Sequence, residues 1–153
     1  AVCLKSSLKT DDGKEYEVLT LGPISVLPQY QRKGIGGRMI EYLKTEARDM
    51  GFRAILLCGD PDYYLRQGFV TAERLGIRSS DDMYVTALHV CELYEGALKG
   101  IEGRYFEDAA YEIDETAAAR FDRTFPHKEL VSGTPSQKRF EQIVALRREA
   151  GPK

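Results

Sequence analysis

The stretch Gln31-Arg32-Lys33-Gly34-Ile35-Gly36-Gly37-Arg38 joins two segments of different hydrophobic pattern, and this change of pattern decides the fold. Residues 18–27, before it, are mostly apolar, as expected for a buried strand that bends at Gly22-Pro23 and ends at Pro28. In residues 35–50, apolar side chains recur every three or four positions, and Gly51 follows as a helix cap. The sequence therefore predicts a strand, a glycine turn and an amphipathic helix in direct succession.

Further elements are predicted on both sides of this unit. Residues 52–58 are a second apolar run, so strand, helix and strand should form a right-handed crossover with parallel strands. The Asp12-Gly13 step between the apolar stretches 1–8 and 16–27 predicts a hairpin. The remaining predictions are a short helix over residues 62–67 closed by Gly68, a strand over 83–91, a helix over 114–125, and a helix over 135–150 with a capping box at Thr134 and Gln137.

Composition is that of an ordinary globular domain. The 153 residues are 42% hydrophobic and 30% charged, which is enough for a core of its own. A formal charge of -2 gives no basic field for nucleic acid, and no apolar run is long enough to span a membrane. The three cysteines form no CxxC pair and have no histidine at ligand spacing. We therefore expect a cytoplasmic protein that binds neither nucleic acid nor a metal.

The glycine turn is suited to bind phosphate. A turn that leads from a strand into a helix exposes several backbone N–H groups in one direction, where the helix dipole also favours negative charge. Gly34, Gly36 and Gly37 allow a ligand to approach the backbone. Arg32, Lys33 and Arg38 add positive charge around the same concavity. A pyrophosphate group would match this site.

Two familiar phosphate motifs do not fit this turn. A nucleoside triphosphate loop needs Lys-Ser/Thr after the last glycine, whereas Arg38-Met39 follows Gly37. A dinucleotide fingerprint needs a third glycine and an acidic residue about 20 positions further on, which this sequence lacks. The simplest alternative is that the glycines only make a tight turn with solvated basic neighbours.

Three segments in their order along the chain resemble the GNAT superfamily of N-acetyltransferases. Gln31-Arg32-Lys33-Gly34-Ile35-Gly36 fits the family's Gln/Arg-x-x-Gly-x-Gly/Ala signature after a strand. Residues 21–28 resemble its fourth strand, and residues 63–69, Tyr-Tyr-Leu-Arg-Gln-Gly-Phe, resemble a later aromatic element. The resemblance covers residues 18–70 and implies an α/β fold with a mixed sheet, in which acetyl-coenzyme A donates an acetyl group to an amine.

The resemblance also implies roles for individual residues. Ile24, Ser25 and Val26 would bind the pantetheine arm on a strand that splays from its neighbour, and the Val26 N–H would stabilise the oxyanion. The loop residues, from Gln31 through Arg32, Lys33, Gly34, Ile35, Gly36 and Gly37 to Arg38, would bind the pyrophosphate. Tyr64 would touch the coenzyme and protonate the departing thiolate. No metal is expected in this chemistry.

Other candidate catalytic residues are not selected by the pattern. Glu15, Glu17 and Asp60 are alternatives for the general base, and spacing favours none of them. A covalent relay through Cys58 is a minor alternative, since cysteines at strand ends are more often structural. His89 fits a core or edge position of a strand and His127 a turn, so neither is assigned a catalytic role.

The sequence also departs from the family's usual order, in which a strand, two helices and another strand come first. We expect that front part to be absent, with a core over residues 1–92 and a mainly helical extension over 93–153. The extension would pack on the core or on a second subunit, as in a homodimer. A domain that binds acyl-CoA without catalysis is the alternative function, and an interaction protein is a third. The acceptor, a small molecule or a peptide amine, is left open.

Overall fold

The computed structural model describes residues 1–151 of the chain. Nine strands and four α-helices lie in this part of the sequence. The strands are β1 (Cys3–Thr10), β2 (Glu15–Leu21), β3 (Ala54–Cys58), β4 (Val70–Thr71), β5 (Ile77–Arg78), β6 (Met83–Val85), β7 (Leu88–Glu92), β8 (Gly103–Phe106) and β9 (Arg147–Glu149). The helices are α1 (Ile35–Asp49), α2 (Pro61–Tyr64), α3 (Glu115–Asp122) and α4 (Pro135–Ala145).

The predicted hairpin, amphipathic helix and parallel crossover are confirmed, although residues 22–34 separate β2 from α1. Strands β1 and β2 form an antiparallel hairpin, and α1 connects β2 to the parallel strand β3, with Leu19 opposite Ile55. Gly51 follows the helix with φ +86°. Short helical turns over residues 61–67 end at Gly68, as predicted.

Seven strands form one mixed sheet in the order β4-β7-β3-β2-β1-β8-β5. Helix α1 covers one face, where Ile40 and Ala47 pack on Leu19, Ile55 and Leu57. The opposite face buries a second cluster, which comprises Leu8, Val18, Ala54, Leu56, Ala72, Ile77, Leu88, Val90, Leu98, Ile101 and Tyr105. Successive side chains of β3 therefore lie on opposite faces of the sheet, as the period of two in a strand requires. The predicted α/β class with a mixed sheet is confirmed.

Three predicted boundaries were wrong. The strand over residues 18–27 stops at Leu21, because Gly22 bends the chain and Pro23 has no N–H to pair. The predicted strand over 83–91 is two strands, since β6 pairs with β9 while β7 pairs with β3 and β4. The last helix has the predicted capping box but ends at Ala145, because the following residues pair with β6.

The segment after residue 92 contributes to the main sheet as well as to the helical region. Strand β8 pairs antiparallel with β1, at the edge of the hairpin. The C-terminal strand β9 pairs with β6, and Arg139 in α4 forms ion pairs with Asp60 and Asp62. Helix α3 has no buried residue. The division of the chain at residue 92 stays a prediction.

His89 is a buried polar residue of the core. Its side chain is fully buried, and neither Nδ1 nor Nε2 has a hydrogen-bond partner in residues 1–151. Burial lowers the pKa of the imidazole from its ordinary value of 6.5. In the unfolded chain this histidine therefore binds a proton at a higher pH than in the folded protein, so the free energy of unfolding should fall as the pH drops below about 6.5.

We expect His89→Leu to flatten this pH dependence. The leucine fills a similar volume and leaves no unpaired nitrogen, so stability at pH 7 should equal or exceed that of the wild type. Urea unfolding at several pH values between 5 and 8 measures both effects, with His127→Gln as the control for the exposed histidine. An unchanged pH slope in His89→Leu would contradict the assignment.

Candidate functional site

The glycine loop, defined as residues 31–38, contains the exposed start of α1. Gly34 is the N-terminal cap with φ +73°, in the left-handed region that glycine adopts without strain. The Gly34 carbonyl accepts the first backbone hydrogen bond of the helix, from Arg38, at 3.1 Å. Within the described chain, the N–H groups of Ile35, Gly36 and Gly37 have no acceptor. These three amides form an open donor set at the positive end of the helix dipole.

Positive charge surrounds these amides. Arg32, Lys33 and Arg38 are exposed, and the first turn of α1 contains no acidic residue. The Lys33 ammonium lies 5.7 Å from the centre of the Tyr30 ring. None of the three side chains takes part in an ion pair in residues 1–151. The loop therefore offers amides and charges of one sign to an anion.

The glycines have a packing role as well. A Cβ at Gly36 would lie 2.8 Å from the Tyr63 hydroxyl, and one at Gly37 would lie 2.9 Å from Oε1 of Gln67. The start of α1 thus packs closely against the segment that contains Tyr63 and Gln67. A substitution at Gly36 would disturb this packing together with any bound anion, so the basic side chains are the cleaner probe of binding.

Strands β2 and β3 separate beside the loop. Their last pair is Thr20 and Leu56, and β3 continues to Cys58 without β2. The Val26 carbonyl accepts a hydrogen bond of 2.9 Å from Nε2 of Gln31, which ties this segment to the glycine loop. The N–H groups of Ile24, Ser25 and Val26 have no hydrogen-bond partner among the described residues. Ile24 packs against the core on the α1 face.

Tyr64 lies in an aromatic cluster at the end of β3. Its ring centre is 5.0 Å from Tyr63, 5.8 Å from Phe69 and 6.2 Å from His89. Burial, with a smaller contribution from Tyr63, raises the pKa of the Tyr64 hydroxyl above its ordinary value. The phenol therefore keeps its proton at neutral pH.

The three carboxylates considered as bases are all engaged in ion pairs. Glu15 lies 3.7 Å from Lys9, and Glu17 lies 3.1 Å from Lys5. Asp60 accepts a hydrogen bond from the Asp62 amide and pairs with an arginine of α4, and both contacts lower its pKa. None of the three is thereby favoured as the base.

A cavity of about 400 Å³ opens on the other face of the sheet, and sequence reasoning missed it. We call it the acidic cavity, and its polar lining includes Cys58, Tyr105, Glu107, Asp108, Tyr111 and Glu112. Most of these residues lie in or directly after β8. Their position depends on the pairing of β8 with β1, which no local pattern predicts.

Cys58 lines the acidic cavity with an accessible side chain, yet it remains a poor nucleophile. The surrounding protein desolvates the thiolate and, with the nearby charge of Glu107, raises the pKa of the thiol to about 11. Little thiolate is available at neutral pH, so this cysteine is unsuited to a covalent relay.

Comparison with known proteins finds one family model that matches the part of the chain containing the glycine loop, β2 and β3. The family model of the GNAT acetyltransferases matches residues 6–69. These residues resemble a GNAT acetyltransferase domain. The described part of the chain contains no helix long and apolar enough to cross a membrane, and no cluster of three or more His, Cys, Asp or Glu residues that could hold a metal ion.

Two relatives from Escherichia coli strain K12 match part of this chain in sequence. The uncharacterized N-acetyltransferase YjhQ is 41% identical over 49 residues, which is 32% of this chain and 27% of YjhQ. The uncharacterized N-acetyltransferase YhbS is 25% identical over 91 residues, which is 60% of this chain and 54% of YhbS. The matches thus span between about a quarter and about half of the relatives' lengths.

Two solved structures share the fold. The structure of YhbS from Escherichia coli in complex with CoA superimposes with a TM-score of 0.64 at 21% identity, over 73% of this chain and 62% of that one. A GNAT family acetyltransferase from Brucella melitensis in complex with acetyl-CoA gives a TM-score of 0.50 at 26% identity, over 71% and 58%.

The position of Tyr64 should depend on Gly59. A Cβ at Gly59 would lie 2.1 Å from Cε2 of the Tyr64 ring, so Gly59→Ala must displace this ring and should cost about 1–3 kcal/mol of stability. In a Tyr64→Ala background most of this cost should vanish, because the clash has been removed. Urea unfolding of the four proteins measures the coupling. An equal cost in both backgrounds would mean that another contact limits the space.

Proposed function

We propose that this protein is an N-acetyltransferase that transfers the acetyl group of acetyl-CoA to an amine. The observation that carries the proposal is the donor set of the glycine loop, where three unpaired amides lie between unpaired basic side chains. This arrangement fits the pyrophosphate of a coenzyme in charge and in hydrogen bonding. The GNAT domain match and the two structures solved with CoA or acetyl-CoA support it.

The separated end of β2 would hold the reactive arm of the coenzyme. The unpaired N–H groups of Ile24, Ser25 and Val26 are donors that the amide groups of pantetheine could use in place of a neighbouring strand. The Val26 N–H would then donate to the thioester oxygen as negative charge develops on it. Gln31 would act through the Val26 carbonyl by holding this segment against the loop.

Direct attack is the proposed mechanism. After the ammonium has lost a proton to solvent, the amine nitrogen bonds to the thioester carbon, the C–S bond breaks, and the sulfur takes the proton of the Tyr64 hydroxyl. The nitrogen then loses a second proton to solvent, and the Tyr64 oxygen regains one from solvent. A proton transfer from a tyrosine near pKa 10 to a thiolate near 8.5 is uphill by roughly 2 kcal/mol, and burial of Tyr64 makes it more so. Tyr64 therefore assists the departure of the thiolate without determining the rate alone.

A domain that binds acyl-CoA without catalysis is the second candidate. The observation in its favour is that Glu15, Glu17 and Asp60 each already pair with a basic side chain, so none of them is distinguished as the base. Acetyl-CoA binding without turnover of any amine would support this candidate.

We also propose a cytoplasmic location. The cysteines Cys3, Cys58 and Cys91 form no disulfide bond, which agrees with a reducing compartment.

We expect Arg32→Gln and Arg38→Gln each to weaken acetyl-CoA binding by about 10-fold, because each removes a charge-assisted contact to the pyrophosphate. Isothermal titration calorimetry at two salt concentrations measures this, and the difference from wild type should shrink at high salt. Arg120→Gln on the exposed helix α3 is the matched control. Unchanged affinity in both loop variants would contradict the loop assignment.

We expect Tyr64→Phe to lower kcat by a factor of about 100 or less, with little change in acetyl-CoA affinity, because the variant loses only the general acid. Steady-state kinetics with the best amine acceptor, together with calorimetry, measures the two effects. Tyr42→Phe on the exposed side of α1 is the control. Wild-type turnover in Tyr64→Phe would remove this residue from the mechanism.

A further inference from the structure

The acidic cavity lies on the opposite face of the sheet from the glycine loop. In β3, Ile55 and Leu57 pack under α1, whereas Ala54 and Leu56 belong to the other face, and Cys58 continues this second series. The cavity that contains Cys58 is therefore reached from the face that α1 does not cover.

The cavity borders the gap between β2 and β3. The Tyr111 hydroxyl donates a hydrogen bond of 2.6 Å to the carbonyl of Gly22, the first residue after β2. Tyr105, almost fully buried, is hydrogen-bonded through its hydroxyl to Thr20, the last residue of β2 that pairs with β3. The residues that line the cavity therefore contact β2 and the residue after it on one side of the gap, and Cys58 ends β3 on the other.

All of the charged side chains that line the acidic cavity are negative. Glu107, Asp108 and Glu112 line it, and its lining includes no lysine, arginine or histidine of the described residues. Within residues 1–151 these three carboxylates take part in no ion pair, although ten ion pairs occur elsewhere in that part of the chain. The negative charge of Glu107 also contributes to the raised pKa values of Cys58, Tyr105 and Tyr111, as expected if its carboxylate faces the lining.

We propose that the acidic cavity binds the acceptor of the acetyl group and selects amines that bear a second positive charge. This inference rests on the proposed function and names its substrate class. One amine reaches the thioester through the gap, and the second, as an ammonium, lies among Glu107, Asp108 and Glu112. Val85 and Leu88 supply apolar surface for the methylene chain between the two amines. A volume of about 400 Å³ is sufficient for a short diamine.

A cation in this cavity replaces part of its hydration with carboxylate contacts. Glu107, Asp108 and Glu112 are exposed, so each contact alone is weak, and the selection depends on several carboxylates acting on one cation. An acceptor with an anionic end would meet like charge, which costs affinity. The basic loop on one face and the acidic cavity on the other would also direct the anionic coenzyme and the cationic acceptor to separate entrances.

Three amines of equal chain length test the selection: 1,4-diaminobutane, 1-aminobutane and 4-aminobutanoate. With acetyl-CoA saturating, we expect kcat/KM for 1,4-diaminobutane to exceed that for 1-aminobutane by about 10-fold or more, and 4-aminobutanoate to be the poorest substrate. Glu107→Gln should lower kcat/KM for the diamine by about 10-fold more than for 1-aminobutane. Glu112→Gln should act in the same direction. Glu95→Gln, on an exposed loop, should leave all three values unchanged.

Equal kcat/KM values for the three amines, or a diamine preference that Glu107→Gln and Glu112→Gln leave intact, would overturn the inference while the proposed function stands. Absence of turnover with every amine would contradict the proposed function instead. Calorimetric titration of 1,4-diaminobutane into the CoA-saturated protein then tests the cavity separately. Binding that Glu107→Gln weakens about 10-fold supports the inference, and absence of binding overturns it.

Discussion

Pro23 cannot donate a backbone hydrogen bond, and β2 stops pairing with β3 shortly before it. The rest of the candidate site depends on this separation. It leaves the amides of Ile24, Ser25 and Val26 without strand partners, and it opens a gap beside the end of β3. Under the proposed function, the pantetheine arm of the coenzyme would complete the pairing of these amides.

Charge is distributed so that the two faces of the sheet differ. The start of α1 presents arginine and lysine side chains together with the positive end of the helix dipole, whereas the acidic cavity presents three carboxylates. The whole chain has 22 Lys and Arg residues against 24 Asp and Glu residues, so its net charge of -2 shows neither group. A reaction between an anionic donor and a cationic acceptor is suited to such a division, because each reactant meets complementary charge on its own side.

The aromatic cluster at the end of β3 combines function and packing. Tyr64 can occupy its position only because Gly59 has no side chain, and its ring lies beside the fully buried His89. Burial raises the pKa of Tyr64 and lowers that of His89, so both groups are uncharged at neutral pH. Under the proposed function, a neutral cluster suits a phenol that donates its proton only when the thiolate forms.

The sequence by itself determined the hairpin, the glycine loop, α1 and the crossover to β3, because each depends on residues that are close together in the chain. Glycine positions, helical periodicity and the Asp12-Gly13 step are local signals. The division of residues 83–91 into β6 and β7, the strand β9 and the acidic cavity were decided by tertiary structure alone. Each of these requires partners far apart in sequence, such as Met83 with Glu149 or Cys58 with Tyr105, and no local pattern records which distant segments will meet.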